Sequence, residues 1–564
     1  MISVRRGLDL GCHPESGTVL RAWLAGHPRL GDARGDLERF LTAPAPGRTE
    51  AECAPIWRGS WRRAWLPDLL RDAPDSATRG LMAEAAESLA AGRADPVVTG
   101  QQPGYLGGPL YTLLKVATAI VLADSRTAAG RPTVPVFWSG DDDDDLREAM
   151  APVIYDPARD VLLRGRLEDA GAADLPGVAG APAQRDGADG AGTAADRMIG
   201  ELPATVAAGA GAWLAEQRHR GELARDLERI HAVAAREGWS WSRLQRRTLL
   251  RIFRGRPLLV VSGNDPGLHA AAAPLYRAVW ADRARFGAIL AGAGDELESG
   301  GFPRPLPETA GERILNLQEG GRRRALPAAV GGGDAGGAGA DAGGDSNPSA
   351  LPDVARLRPA VALRAAVQDW LFRPAGVVVG PGEVAYLAQL ASVYAAFGVP
   401  RCAMLPRLFA WLAPAGSDPA AGLPGSDRGT GDRAAAAERV GEEAARLLEG
   451  ALREQAGADP ERARRLAAEQ AASWSRQARR MLVREDRRRR RAERATPLPW
   501  LRPAGRRQER TLAALCAAAL WGDDLTAALL RAAESHVEAG RRGLWCEFHL
   551  AVDEPRRGEG KERA

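Results

Sequence analysis

Residues 97–150 read VVTGQQPGYLGGPLYTLLKVATAIVLADSRTAAGRPTVPVFWSGDDDDDLREAM. An apolar run at 96–99 (PVVT) turns through glycines into a helical stretch at 110–124. A second apolar run, VPVFW at 134–138, then ends on Asp141 to Asp145. Strand, helix, strand is the βαβ unit and predicts an α/β protein, a parallel sheet covered by helices. In such sheets ligands bind beyond the carboxyl ends of the strands. Both the glycine turn and the aspartates fall at such ends, a layout suited to chemistry on a small charged substrate.

The same unit recurs at a distance. PLLVVSG (257–263) leads through a loop into a helix, and AGVVVGPGEVAYLAQL (375–390) repeats strand, glycine turn and helix before a last short strand. Residues 57–95 and 200–255 carry helical patterns, and 153–164 read as a hairpin or a further strand. The Ala-, Gly- and Asp-rich stretch at 165–195 is expected to be a surface loop, and the low-complexity segment 331–347 a flexible insert. From 433 to about 495 the chain is polar and almost turn-free, broken at Gly457–Pro460, which predicts a long antiparallel helical hairpin or coiled-coil arm. The expected organisation is a core in two parts, 1–164 and 256–415 with an insert at 331–349. A helical connecting region spans 165–255, the arm 425–496, and a segment returning to the core 497–564.

Composition narrows the function less than the motifs do. The chain has 564 residues, 45% of them hydrophobic, and a formal net charge of +4, which neither requires nor excludes nucleic acid or an acidic substrate. Lysine is confined to Lys115 and Lys561, so arginine carries the basic function, and Lys115, about a turn past the glycine loop, is expected to face substrate. The five cysteines, Cys12, Cys53, Cys402, Cys516 and Cys546, are odd in number and unpaired in spacing, which suits a reducing compartment. No His/Cys set has zinc spacing, so no metal ligands are assigned. Neither a signal core nor a membrane span is visible, and cytoplasm is the expected location. The run Arg487–Arg491 lacks aromatic stacking partners and reads as a solvated helix face, with no nucleic acid or membrane partner expected.

Three groups of residues could carry chemistry. Thr99, Gly100, Gln101, Gln102 and Gly104, with Gly107 and Gly108, form a strand-to-helix turn whose N–H groups and helix start suit a phosphate or carboxylate. Their spacing is neither GxGxxG nor GxxxxGK[ST]. The glutamines, Tyr111 and Thr112 add donors and acceptors. The alternative is a tight turn with no ligand. Asp141 to Asp145 repel one another, so arginines, a metal, a substrate ammonium or solvent must offset them. One or two could act as a general base, the alternative being a solvated acidic loop. The third group is Gly380 and Glu383, with Tyr386 one turn on, Arg364, Gln368 and Asp369 upstream, and Arg407 after the last strand. Its arginines could pair with substrate carboxylates, although structural pairing would serve as well.

Four motifs, TGQQPGYLGGPLYTLLK, VPVFWSGDDDDDLRE, VVVGPGEVAYLAQL and the late PAGRRQER, resemble in sequence and order the cysteine ligase family of bacillithiol biosynthesis, BshC. The resemblance extends over nearly the whole chain. It implies a Rossmann-like core with helical insertions and a coiled-coil domain supporting a homodimer. It also implies amide formation between the carboxyl of cysteine and the amine of glucosaminyl-malate, the last step of bacillithiol synthesis. On that basis Thr99–Thr112 and Lys115 surround the core pocket, and Asp142, Asp143, Asp144 and Asp145 join Lys115 as catalytic candidates. An adenine nucleotide with magnesium is the expected source of carboxyl activation, and Asp143 the expected acceptor of the amine's proton. The family's Glu-Asp-His-Asp-Phe pattern, followed closely by Glu, becomes Asp142-Asp143-Asp144-Asp145-Leu146 with Glu148. The usual histidine, a proton shuttle near neutral pH, is therefore Asp144, and Ala365 follows Arg364 where proline is usual. A catalytically impaired sugar-malate or nucleotide-binding dimer and a nucleotidyl-transferase-type enzyme are the alternative readings.

Overall fold

The computed structural model describes residues 2–10, 17–42, 55–57, 59–156, 161–164, 198–217, 220–320, 322–326, 351–413 and 507–552. The expected loop at 165–195, the insert at 331–349 and the arm at 425–496 lie outside the described residues.

Five strands form the central sheet: β1 (Asp95–Gln101), β2 (Thr133–Ser139), β3 (Leu259–Ser262), β4 (Gly376–Val379) and β5 (Ala403–Pro406). They lie in the order β5-β4-β1-β2-β3, and all four pairings are parallel. Their sequences, such as TVPVFWS and GVVV, are apolar runs rather than alternating ones, because helices cover both faces; every position of β2 and β4 is buried. The helices that matter for the site are α1 (Tyr111–Ala128), α2 (Trp241–Ile252), α3 (Val361–Phe372), α4 (Pro381–Ala396), α5 (Ala514–Trp521) and α6 (Leu525–Arg541). Helix α1 connects β1 to β2 and is apolar nearly all round, since it is held between that sheet and α6.

Strand order decides where a ligand can sit. The chain winds outward from β1 through β2 to β3, then returns to place β4 against the other side of β1, with β5 beyond it. The topological switch point therefore lies between β1 and β4, where the loops leaving two adjacent strands diverge and open a crevice. Gly100, Gln101 and Gln102 leave β1 there, and Gly380 to Glu383 leave β4.

The late segment reaches the crevice through a second, three-stranded sheet. Cys546–Val552 lies between Ile2–Asp9, which it meets antiparallel, and Ala410–Ala413, which it meets parallel. Gln508, wholly buried, accepts from the Leu412 N–H at 2.8 Å and donates to the Leu412 carbonyl at 2.9 Å. This pins the short helix Gln508–Thr511 beside the end of β5. The stretch at 153–164 is a separate antiparallel hairpin.

Candidate functional site

A cavity of about 730 Å³ opens at the switch point, within the ~300–1,000 Å³ range of small-molecule sites. Gln101, Gln102 and Gly104 line it from the β1 side, Gly380 and Glu383 from the β4 side, and Tyr111 from the first turn of α1. Four cationic side chains, Lys115, Arg407, Arg507 and Arg510, converge on it from three separate parts of the chain.

Each cation but one is held in place. The Lys115 ammonium is almost fully buried, donates to the Gly100 carbonyl at 2.9 Å and pairs with Glu383 at 2.7 Å. Glu383 in turn accepts from the Gly380 N–H at 2.8 Å, so one carboxylate caps α4 and neutralises the lysine. Lys115 thereby ties the end of β1 to the start of α4 across the switch point. Arg407 makes a two-pronged pair with Glu509, at 3.0 and 2.8 Å, and both side chains are buried. Burial alone would raise the Glu509 carboxyl, but the Arg407 guanidinium outweighs it and holds the pKa at about 2. Arg507 pairs with the buried Glu547 at 3.0 Å. Arg510 is exposed and makes no ion pair among the described residues.

A second cavity of about 180 Å³ lies beside the first and shares Gln101, Gln102 and Glu383 with it. Its walls come from Gly100, Trp138 and Gly140 on one side and from α3 and α4 on the other, including Arg364, Gln368, Asp369, Tyr386 and Leu387. Asp369 accepts from Gln368 at 3.0 Å and from the Tyr394 hydroxyl at 2.9 Å, and burial lifts its carboxyl to about 6. Gly100 has to be glycine: a Cβ there would stand 2.5 Å from the Trp138 carbonyl.

All six residues assigned to substrate, Gly380, Glu383, Tyr386, Arg364, Gln368 and Arg407, line one cavity or the other. Of the residues assigned to a nucleotide, Gly100, Gln101, Gln102, Gly104 and Tyr111 do so, whereas Thr99, Gly107, Gly108 and Thr112 line neither. The Thr99 hydroxyl donates to the Val378 carbonyl inside the sheet at 3.2 Å. Gly107 and Gly108 have φ of +80° and +81°. Gly107 faces Ala514 and Leu515, and the Gly108 carbonyl accepts from the Ala514 N–H at 2.8 Å. Thr112 is fully buried, with no hydrogen-bond partner for its hydroxyl among the described residues. The glycine loop thus docks α1 against α5, and the positive charge at the site comes from side chains instead of loop amides.

The aspartates take a different place from the one expected of them. None of Asp142, Asp143, Asp144 and Asp145 lines either cavity. Asp141, fully buried, accepts from Ser262 at 2.7 Å, from the Asn264 N–H at 2.9 Å and from Ser242 on α2, fastening β2 to β3 and α2. Asp142 is also fully buried, 3.4 Å from Arg364, and burial raises its carboxyl above the usual range. Burial acts in the same direction on Asp143, but Arg364 at 2.8 Å, reinforced by Arg323, brings its pKa down to about 2. Asp144 is 40% exposed and 3.5 Å from Arg323. Asp145 caps the short helix Leu146–Ala149 through the Glu148 N–H at 2.9 Å. Arginines are therefore the offset for Asp142 to Asp144, and Asp142 and Asp143 act by fixing Arg364, which does reach the small cavity. A carboxyl held near 2 by a guanidinium is a poor proton acceptor at neutral pH, which removes the geometric basis for Asp143 as the base.

Arg507, Glu509 and Arg510 were not assigned to the site from sequence, although they sit in the late PAGRRQER motif. Glu148 was missed as a wall residue in the same way. The signal was the density of charge in that short motif, but nothing local showed which strand end it would meet. Among the described residues no group of three or more His, Cys, Asp and Glu could hold a metal ion.

The fold and the site define a Rossmann-type α/β protein with a cationic cavity at its switch point. Residues 48–159 and 345–408 match the family model of the N-terminal Rossmann-like domain of bacillithiol biosynthesis BshC. The chain is 29% identical over 323 residues to a protein of Koribacter versatilis named "Putative cysteine ligase BshC", covering 56% of this chain and 54% of that one. It is 30% identical over 346 residues to a protein of the same name from Thermus thermophilus (60% and 59%), and 28% over 342 residues to that of Halalkalibacterium halodurans (59% and 58%). Residues 48–159 and 345–408 are thus similar to the Rossmann-like domain of BshC proteins, and the matches span between about half and three-fifths of those relatives' lengths. Among the described residues no helix is long and apolar enough to cross a membrane.

Proposed function

We propose that this chain joins the carboxyl of L-cysteine to the amine of glucosaminyl-malate, forming the amide of bacillithiol. The observation that supports the reading is the convergence of Lys115, Arg407, Arg507 and Arg510 on a 730 Å³ switch-point cavity in the domain shared with BshC proteins. A sugar bearing a malate group presents two carboxylates and several hydroxyls. The arginine fork suits the first, and Gln101, Gln102 and Tyr111 suit the second.

The second substrate has room in the adjoining 180 Å³ cavity. The two cavities share Gln101, Gln102 and Glu383, so the reacting carboxyl and amine would meet at that common wall. Glu383 stands there paired with Lys115 and capping α4, and would position the lysine at that wall rather than carry the proton. An adenine nucleotide with magnesium would supply the carboxyl activation that amide formation from a free acid needs, and the cationic wall has the donor set to hold its phosphates. A homodimer built on the 425–496 arm and a cytoplasmic location belong to the same proposal.

The test is direct. Full-length protein is incubated with L-cysteine, glucosaminyl-malate, ATP and magnesium, and the thiol product is sought by mass. Product together with nucleotide breakdown supports the reading; neither, across nucleoside triphosphates, retires it.

A further inference from the structure

We propose that the small cavity between β1, β2, α3 and α4 is a dedicated subsite for a small thiol-bearing amino-acid zwitterion, separate from the anion-binding cavity beside it. This rests on the ligase reading for the identity of the amino acid, but its location follows from the cavity itself.

Size comes first. The 180 Å³ of space equals about six water-sized volumes of ~30 Å³ each. Cysteine has a comparable number of non-hydrogen atoms, whereas a sugar-malate belongs in the 730 Å³ cavity. The chemistry of the wall agrees. Gln101 donates to the Gln102 side-chain carbonyl at 3.1 Å, which fixes that amide and leaves its NH₂ group, buried, without a partner. The Arg364 Nε is likewise buried without a hydrogen-bond partner, while its terminal nitrogens are taken by Asp142 and Asp143. Unmet buried donors cost free energy in the empty protein and recover it when an acceptor arrives. A carboxylate is such an acceptor.

The opposite charge is also present. Asp369 accepts from Gln368, from Tyr394 and, at 3.7 Å, from the Cys402 thiol, three of the roughly four hydrogen bonds a carboxylate can take, so it retains room for one ammonium N–H. Between these polar groups stand Trp138, Val379 and Leu387, an apolar surface suited to a short polarizable side chain. Leu387 is half-buried and lines the cavity from α4, so its side chain is the wall position whose size is varied.

Full-length protein is titrated calorimetrically with L-cysteine in the presence of L-malate, and with L-malate alone. Leu387→Trp is expected to weaken L-cysteine by more than about tenfold, ~1.4 kcal/mol, with L-malate changed by less than about twofold. Arg510→Ala, in the other cavity, is expected to do the reverse. The unmodified chain is expected to reject L-methionine and Leu387→Ala to admit it, which decides the matter should Leu387→Trp fail to fold in a thermal melt. The proposal is overturned by a wild-type chain that does not bind L-cysteine, by L-cysteine affinity that follows Arg510 instead of Leu387, or by a Leu387→Ala protein that still rejects methionine. Cysteine bound in this cavity with no thiol product retires the ligase reading and leaves the subsite. Product formation with an unchanged KM for cysteine in Leu387→Trp retires the subsite and leaves the ligase.

Discussion

Replacing Glu509 by glutamine keeps the shape of the Arg407 partner and removes its charge. Both groups are buried, at 3% and 4% side-chain exposure, so solvent cannot compensate. The Glu509 carboxyl lies at about 2 against an ordinary 4.5. That difference of about 2.5, at ~1.36 kcal/mol per pH unit, makes the ionised Glu509 worth ~3 kcal/mol to the folded state, with Arg407 the largest favourable cause and Arg507 and Arg510 adding to it. Measurements on other buried pairs agree, since removing one partner costs ~3–5 kcal/mol. The pH dependence has a definite sign. A carboxyl whose folded pKa is depressed stabilises fully above its unfolded value, and the contribution disappears as pH falls through the folded one. Glu509→Gln should therefore destabilise by ~3 kcal/mol at neutral pH and by about half that near pH 3. Urea midpoints of the two proteins across that range measure it. A difference below ~1 kcal/mol at neutral pH, or one that does not shrink toward acid, would refute the assignment of Glu509 as the buried counter-charge of Arg407. Because Arg407 lines the large cavity, weaker L-malate binding in the variant is a second expected readout.

Lys115→Met removes the clamp between Gly100 and Glu383; Glu383 is 41% exposed, so the stability loss should be only ~1 kcal/mol, while L-malate affinity falls about tenfold by calorimetry. Asp144→Ala should leave ligation within about twofold and stability within ~1 kcal/mol, because Asp144 is 40% exposed and lines neither cavity; a large loss of rate would return the acidic segment to the chemistry. Gly100→Ala forces a Cβ to within 2.5 Å of the Trp138 carbonyl and should cost at least ~1–3 kcal/mol in a denaturation series, with cysteine binding lost as β1 and β2 shift apart. Asp369 has a folded pKa raised to about 6 by burial, so its contribution is present below about pH 4 and lost as pH rises through 6; Asp369→Asn should flatten a dependence of ~3 kcal/mol over that interval.

The parallel strands were legible because both faces of each are buried, which leaves continuous apolar runs in the sequence. VPVFW at 134–138 became the interior of β2 (Thr133–Ser139), and PVVT at 96–99 the first half of β1. The helix expected at 110–124 runs to Ala128, because Ser125 to Ala128 continue it before Gly130 at φ +78° ends it. The cavity-lining residues that follow β4 were legible for a related reason. A strand that turns through Gly380 into a helix must present the first turn of that helix at the strand's end, so Glu383 and Tyr386 could be placed without knowing the neighbours.

Sequence by itself thus determined the α/β class, the strand-turn-helix units that frame the crevice and the family resemblance of their motifs. The tertiary structure decided the charges. Five consecutive aspartates are the same string whether they face substrate, solvent or arginine. Arg323 and Arg364, about 180 and 220 positions further along the chain, meet Asp143 only because α3 and the Leu315–Ala325 hairpin close over the end of β2. Glu509 likewise meets Arg407 from 102 positions away. Local patterning follows from the backbone period and from burial, which neighbouring residues share. Pairing of buried charges depends on distances between segments remote in sequence, and only the folded chain sets those distances.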